Sequence, residues 1–402
     1  MFPIIPANSA TASFPGNDEG IFGYGYHTPN PLSMTNIVSN AGVVATDVAG
    51  VGGTNYGKAG CEFGGDQGIF GYGPAHLWSG TNLVSNTGVV ASDTTRVGTA
   101  RQSLAACSYG EDKGIFGYGT PRCTTTNLVS NAGVVASDVA GVGTGRYSQG
   151  GTQYGGDKGI FGFGNNNGSN TGVQSMTNLV SNTGVVSSDV AGVGTARNSC
   201  GATQYGTDTA IFAFGSPIGA GALTNVSNLV SNTGVVASDQ AATTGTSRTS
   251  VSACEYGGDK GIIGFGSGGG SRFSITNLVS NTGVVSSDVA GVGTTRSALA
   301  ACSYGSDTGI FGFGYSDGPT WQSMTNLVSN TGVVSSDVAG VGTGRYSPAA
   351  CEYGQDKGIF GFGTTGSVTA ITNLVSNTGV VASDQAATTG TARAYVAACS
   401  FN

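Results

Sequence analysis

Six cysteines fall at one position of a repeating pattern, namely Cys61, Cys107, Cys254, Cys302, Cys351 and Cys399, while Thr152 and Thr203 hold that position in two further copies. A row of thiols in register is what a metal ring would use, with Zn–S bonds of about 2.3 Å. The spacing argues against it. Residues one repeat apart on packed sheets stand about 10 Å from each other, too far to share a zinc and beyond the roughly 7 Å Cα separation that a disulfide tolerates. Interchange with threonine fits a small buried side chain instead. No metal and no cofactor is expected. Cys123 and Cys200 are off register, and unbridged thiols fit synthesis in a reducing cytoplasm.

Two carboxylates recur as well. Asp66, Asp112, Asp157, Asp259 and Asp356 each sit in a Gly-rich string that suits an Asx-type turn. Asp47, Asp93, Asp138, Asp189, Asp239, Asp288, Asp337 and Asp384 each precede a basic position by eight or nine residues. That position holds Arg101, Arg146, Arg197, Arg248, Arg296, Arg345 and Arg393, with Asn55 in the remaining copy. An acid and a base repeated once per copy suit a set of ion pairs joining the copies. Glycoside cleavage, by contrast, needs one singular pair of carboxylates at one cleft, so no catalytic residue is expected. The two histidines, His27 and His76, lie in loops and form no ligand set with one another. The glycines Gly264, Gly266 and Gly269 match GxGxxG but open no helix, so no helix terminus is there to hold a phosphate. Asn167-Gly168-Ser169 and Asn225-Val226-Ser227 match the glycosylation acceptor, which matters only for a chain secreted by a eukaryote.

These residues are positioned by a unit of about fifty residues present in eight copies, marked by Gly20–Gly25, Gly68–Gly73, Gly114–Gly119, Gly159–Gly164, Ala210–Gly215, Gly261–Gly266, Gly309–Gly314 and Gly358–Gly363. One copy predicts four short strands. Ser103–Tyr109 leads into a turn at Gly110-Glu111-Asp112-Lys113, followed by Ile115–Tyr118, a variable loop, Thr126–Ser130, a turn at Asn131-Ala132-Gly133, and Val134–Ser137. No helical periodicity is present. Four antiparallel strands repeated on this period predict an all-β fold, an eight-bladed β-propeller of four-stranded blades. The eighth arginine, Arg393, stands at the end of the chain and the first copy lacks a leading strand. Blade one is therefore expected to take its inner strand from Ala394–Ser400, closing the ring. Residues 1–17 are left as a leader outside it, and 18–402 form one domain.

Composition narrows the role. Net charge is −7 and only 9% of residues are charged, which leaves no basic stripe for nucleic acid. No run reaches the roughly twenty apolar residues of a membrane span, and the amino terminus has no signal-peptide pattern.

The order of arginine, small-residue strand, turn and aromatic-glycine strand resembles the kelch repeat over nearly the whole chain. The double glycine is replaced by Gly-Phe-Gly or Gly-Tyr-Gly, and the late tryptophan is missing. The resemblance implies a propeller and no particular activity. The string TNLVSNTGVVxSDxAGVGTxR with DKGIFGFG further resembles repeat proteins of aquatic tailed bacteriophages, which implies a virion location, a tail-fibre or other appendage role, and other virion proteins as partners.

Between the second and third strands every copy differs, over Tyr26–Met34, Pro74–Gly80, Thr120–Thr125, Asn165–Met176, Ser216–Ser227, Ser267–Ile275, Tyr315–Met324 and Thr364–Ile371. These loops hold both tryptophans, Trp78 and Trp321, both histidines, Tyr315 and Asp317, a mixture suited to stacking on sugars and bonding hydroxyls. Drift in unconstrained loops would give the same variation. The expected function is a non-enzymatic, carbohydrate-binding, host-attachment component of a virion, with a purely structural assembly module as the first alternative and a glycan-acting enzyme as the second.

Overall fold

The computed structural model describes residues 19–402 apart from 49–51, 75–77, 95–96, 168, 170, 218–222, 241–244, 319, 386–389 and 402. The leader expected over residues 1–17 lies outside the described residues. Eight three-stranded antiparallel sheets repeat one pattern, and we number them as units in chain order of their middle strands. Unit three is typical: Ala105–Tyr109, Lys113–Gly117 and Thr126–Val129, with Cys107 opposite Ile115 and Ile115 opposite Leu128. The first hairpin turns through Gly110 and Glu111, both at positive φ (59° and 68°), the combination that matches the right-handed strand twist.

Unit one is assembled from both ends of the chain. Its strands Glu19–His27 and Asn30–Val38 pair with each other, and Glu19–Gly23 pairs antiparallel with Ala397–Phe401. The C-terminal segment thus supplies the strand that the first copy lacks, starting three residues later than the sequence suggested.

Four strands per unit were expected, and the ladders contain three. The fourth segment is attached at two separate bridges, as at Val38 to Val44 and Thr35 to Val48 in unit one. The side chain of Asn36 explains the break. Its amide donates to the carbonyl of Ala45 and to Oδ1 of Asp47, taking the place of ladder bonds and looping the aspartate out of the edge.

The sheets pack face to face through one knob and one seat per junction. A Cβ added to Gly117 of unit three would come within 2.8 Å of the Phe161 ring of unit four, and Gly71, Gly162, Gly264 and Gly312 seat the next unit's Phe in the same way. Gly361 of unit eight seats Phe22 of unit one, so the packing order returns to its start. Only glycine leaves that room. The one exception is compensated: unit five carries Ala213 where the seat should be, and the knob from unit six is Ile263 rather than Phe.

Removing residues 393–402 should leave Glu19–Gly23 as an unpaired edge and expose it to association with other chains. We expect that truncation to melt lower and to aggregate in size-exclusion chromatography; a monomer with an unchanged melting curve would contradict the pairing.

Candidate functional site

The repeated arginines are fully buried, each between two units. Arg101 lies over the Tyr72 ring of unit two, 4.1 Å from its centroid, while its guanidinium donates to Asn127 Oδ1 at 2.6 Å and to the carbonyls of Phe116 and Thr99. Asp138 stands 3.9 Å away and accepts from the backbone and hydroxyl of Thr99 and from Asn127. Burial pushes its pKa up, and these bonds more than offset that, holding the carboxyl below the usual range. The same set recurs at Arg146 with Asp189, Arg248 with Asp288, Arg296 with Asp337 and Arg393 with Asp47. Arg197 and Arg345 reach Asn228 and Asn373, whose amides donate to Asp239 and Asp384. The ring beneath each cation belongs to a non-glycine residue at positive φ, from Tyr24 (62°) to Phe362 (60°). That conformation turns the ring under the next unit's cation and edge-on to its Phe, as for Tyr72 and Phe116 at 5.2 Å.

Unit two departs from this. Asn55 stands at the arginine position, and its side chain donates to Tyr72 O. A residue that the sequence reading passed over, Lys58, supplies the cation from three positions further on. Its Nζ lies 3.6 Å from the Tyr24 centroid and donates to Asn82 Oδ1 at 2.7 Å, with both side chains buried. Burial lowers its pKa to about 7, with the charge of Asp93 acting in the opposite sense. The signal for this was the break in GTxR together with a lone lysine downstream.

Among the described side chains, Cys61, Cys107 and Cys302 face the next unit: a Cβ on Gly114, Gly159 or Gly358 would meet their sulfurs. Burial pushes the thiols of Cys107 and Cys254 up to about 12, which makes them unreactive. Among the described residues no three His, Cys, Asp or Glu side chains form a group that could hold a metal ion. One residue on, Glu62, Glu255 and Glu352 share a strand position in units two, six and eight. Burial first and the charge of Glu352 second raise the carboxyls of Glu62 and Glu255 to about 7.

The variable loops begin beside the lead-in residues of the same unit, as Thr120 bridged to Gln102 and Ser216 to Asn198. A cavity of about 490 Å³ opens there, walled by the first strands of units two to six and lined by small residues such as Gly60, Ala106, Gly151 and Ala202, with Gln102 and Ser148 among its polar groups.

Of the proposed loop residues, Tyr315, Asp317 and Trp321 are brought together on one hairpin, with Tyr315 paired to Trp321. Arg272 from the preceding loop joins them, a residue that no motif or spacing in the sequence singles out. It stacks 4.3 Å over Tyr315 and donates to both oxygens of Asp317, from Nη1 at 2.6 Å and from its backbone at 3.1 Å. The backbone bond and then the side-chain bond hold the Asp317 carboxyl below its usual range. Trp321 is 41% exposed, and part of its ring rests against Gly366 of the next loop. His27 lies elsewhere, exposed, donating from Nδ1 to Ala392 O. Trp78 begins the third strand of unit two, paired with Gly73. His76 falls outside the described residues.

No protein-family model and no curated protein matches this chain. Among solved structures, one titled "Structure of YjhT" aligns over 70% of this chain and 96% of its own, at 9% identity and a TM-score of 0.47.

Two outcomes follow from this geometry. Arg197→Ala leaves Asn228 and the carbonyls of Thr195, Phe212 and Phe214 without their buried donor, and should cost about 1–3 kcal/mol in denaturant unfolding; a loss within experimental error would contradict a paired, buried role. The glutamates set a pH dependence. Their folded pKa of about 7 lies above the ordinary value of 4.5, so the folded state holds the extra protons, and stability falls as pH rises between those limits. Lys58, protonated in both states below about 7, adds stability only as pH rises above it. The melting temperature should therefore drop from pH 5 to pH 7, and Glu62→Gln with Glu255→Gln should flatten that drop.

Proposed function

We propose that the chain is an eight-bladed β-propeller acting as a non-enzymatic attachment component of a phage particle, with a host-surface glycan as the ligand of its loop-bearing face. The packing order that runs from unit one to unit eight and back supports the ring, with each irregular fourth segment as a blade's outer edge. One observation carries the binding role. The residues joining the units are nearly identical throughout, while the loops differ in every unit and, in unit seven, leave Trp321 41% exposed beside Tyr315. Aromatic faces of this kind stack on pyranose rings, and neighbouring Asp317 and Arg272 offer an acceptor and donors to hydroxyls. The repeated carboxylates support a scaffold over a catalyst, because each is bonded within its own unit. The virion location rests on the resemblance of the repeat string.

A second reading, an assembly module docking other subunits, has one observation in its favour. Eight equivalent valines, from Val43 to Val380, stand 60–67% exposed at one position per unit.

A glycan array and a host-cell binding assay separate the two. We expect Trp321→Ala to lower binding by tenfold or more, on the order of 1.4 kcal/mol, at an unchanged melting temperature. Equal binding by both proteins, or no binding by either, would favour the assembly module.

A further inference from the structure

We propose that Lys58 and Asn82 form an intramolecular isopeptide bond, with Asp93 carrying the proton transfer. In seven units the cation that reaches the asparagine of TNLV, TNIV or SNLV is an arginine. In unit two alone it is a primary amine, a nucleophile that a guanidinium is not. The amine sits 2.7 Å from the carboxamide oxygen, one bond from the carbon it would attack. The leaving nitrogen, Asn82 Nδ2, donates to Asp93 Oδ1 at 2.9 Å and to the carbonyl of Ala91 at 3.2 Å. Lys58 and Asn82 are both fully buried, with the Tyr24 ring over the amine, so water does not compete for the carboxamide. Burial also lowers the lysine pKa to about 7, which supplies the neutral amine near physiological pH.

Unit two differs at the carboxylate too. In the other seven units a threonine hydroxyl donates to the aspartate, as Thr99 to Asp138, Thr144 to Asp189 and Thr391 to Asp47. The equivalent residue before Asn55 is Gly53, which bonds Asp93 Oδ2 through its backbone N–H alone and has no hydroxyl to give. Asp93 thus lacks the hydroxyl bond that the other seven aspartates accept.

The step balances without a co-reactant. Neutral Nζ attacks Cγ of Asn82 and the new C–N bond forms; the tetrahedral centre then carries Nζ and Nδ2 on one carbon, one proton moves from Nζ to Nδ2 with Asp93, bonded to Nδ2, as its carrier, and the Cγ–Nδ2 bond breaks to release ammonia. Nothing is oxidised or reduced. The product ties the segment ahead of the first strand to the third strand of unit two, at the face where unit two packs on unit one, the unit assembled from both chain ends.

Intact-mass spectrometry of the full chain, purified folded and incubated at mildly alkaline pH, tests this directly. The expected mass is the sequence mass less one ammonia, with a tryptic product in which the Lys58 and Asn82 peptides remain joined. A succinimide at another asparagine would lose the same mass, so tandem sequencing of the joined peptides is the deciding measurement. Lys58→Arg and Asn82→Ala should retain the full sequence mass, and Asp93→Asn should form the bond slowly or not at all. Wild-type protein that keeps its full mass overturns the proposal, and so does a mass loss without joined peptides. Asp93→Asn that reacts at the wild-type rate overturns the role given to Asp93.

Discussion

A charged side chain taken wholly out of water must find partners, and at each junction of this protein a buried cation does so. The guanidinium of Arg101 needs an oxygen it can reach, which Asn127 supplies, and a ring to cover its face, which Tyr72 supplies from the neighbouring unit. Asn127 must then satisfy its own amide, which draws Asp138 out of the sheet edge, and Asp138 is in turn bonded by Thr99. The residues that recur in the sequence as GTxR, TN and SD are the members of this one network. The junction also needs Tyr72 in the left-handed region, a conformation costing on the order of 1–3 kcal/mol for a non-glycine residue, and the ring's contacts with both cation and Phe116 offset that cost.

How much of this was legible in the sequence depended on whether the physics was local. The repeat length, the hairpin at Gly110, and the slot in unit one for the C-terminal strand follow from periodicity and turn chemistry, and the structure has them. The interruption of the fourth strand does not, because it arises when Asn36 bonds Ala45 and Asp47 across the edge. The positive φ of eight tyrosines and phenylalanines was equally hidden, since residue type alone points to the flanking glycines for such conformations. Lys58 was missed because it sits three places away from the position it serves. Arg272 was missed because its partner, Asp317, belongs to the next unit's loop. The pairing of Tyr315, Asp317 and Trp321, by contrast, follows from their lying in one short loop.

The unequal copies are the informative ones. Ala213 with Ile263 shows that the stacking seat and its knob are coupled in volume, as close-packed interiors require. Asn55 with Lys58 shows that the cation site can be filled by another route, and that the substitution brings an amine where every other junction has a guanidinium. Near-invariance in the junctions and variety in the loops then divide the molecule into a repeated frame and a set of loops that differ from unit to unit.

A double-mutant cycle on Arg146 and Asn178, read by equilibrium unfolding, measures the interaction on which this account rests most directly. The two side chains meet at 2.6 Å in a buried site, and we predict that they couple, with the pair of substitutions costing less than the sum of the single ones by about 1–3 kcal/mol. Additive losses would show that the arginine and asparagine act independently, and would contradict a fold organised around buried cations at its junctions.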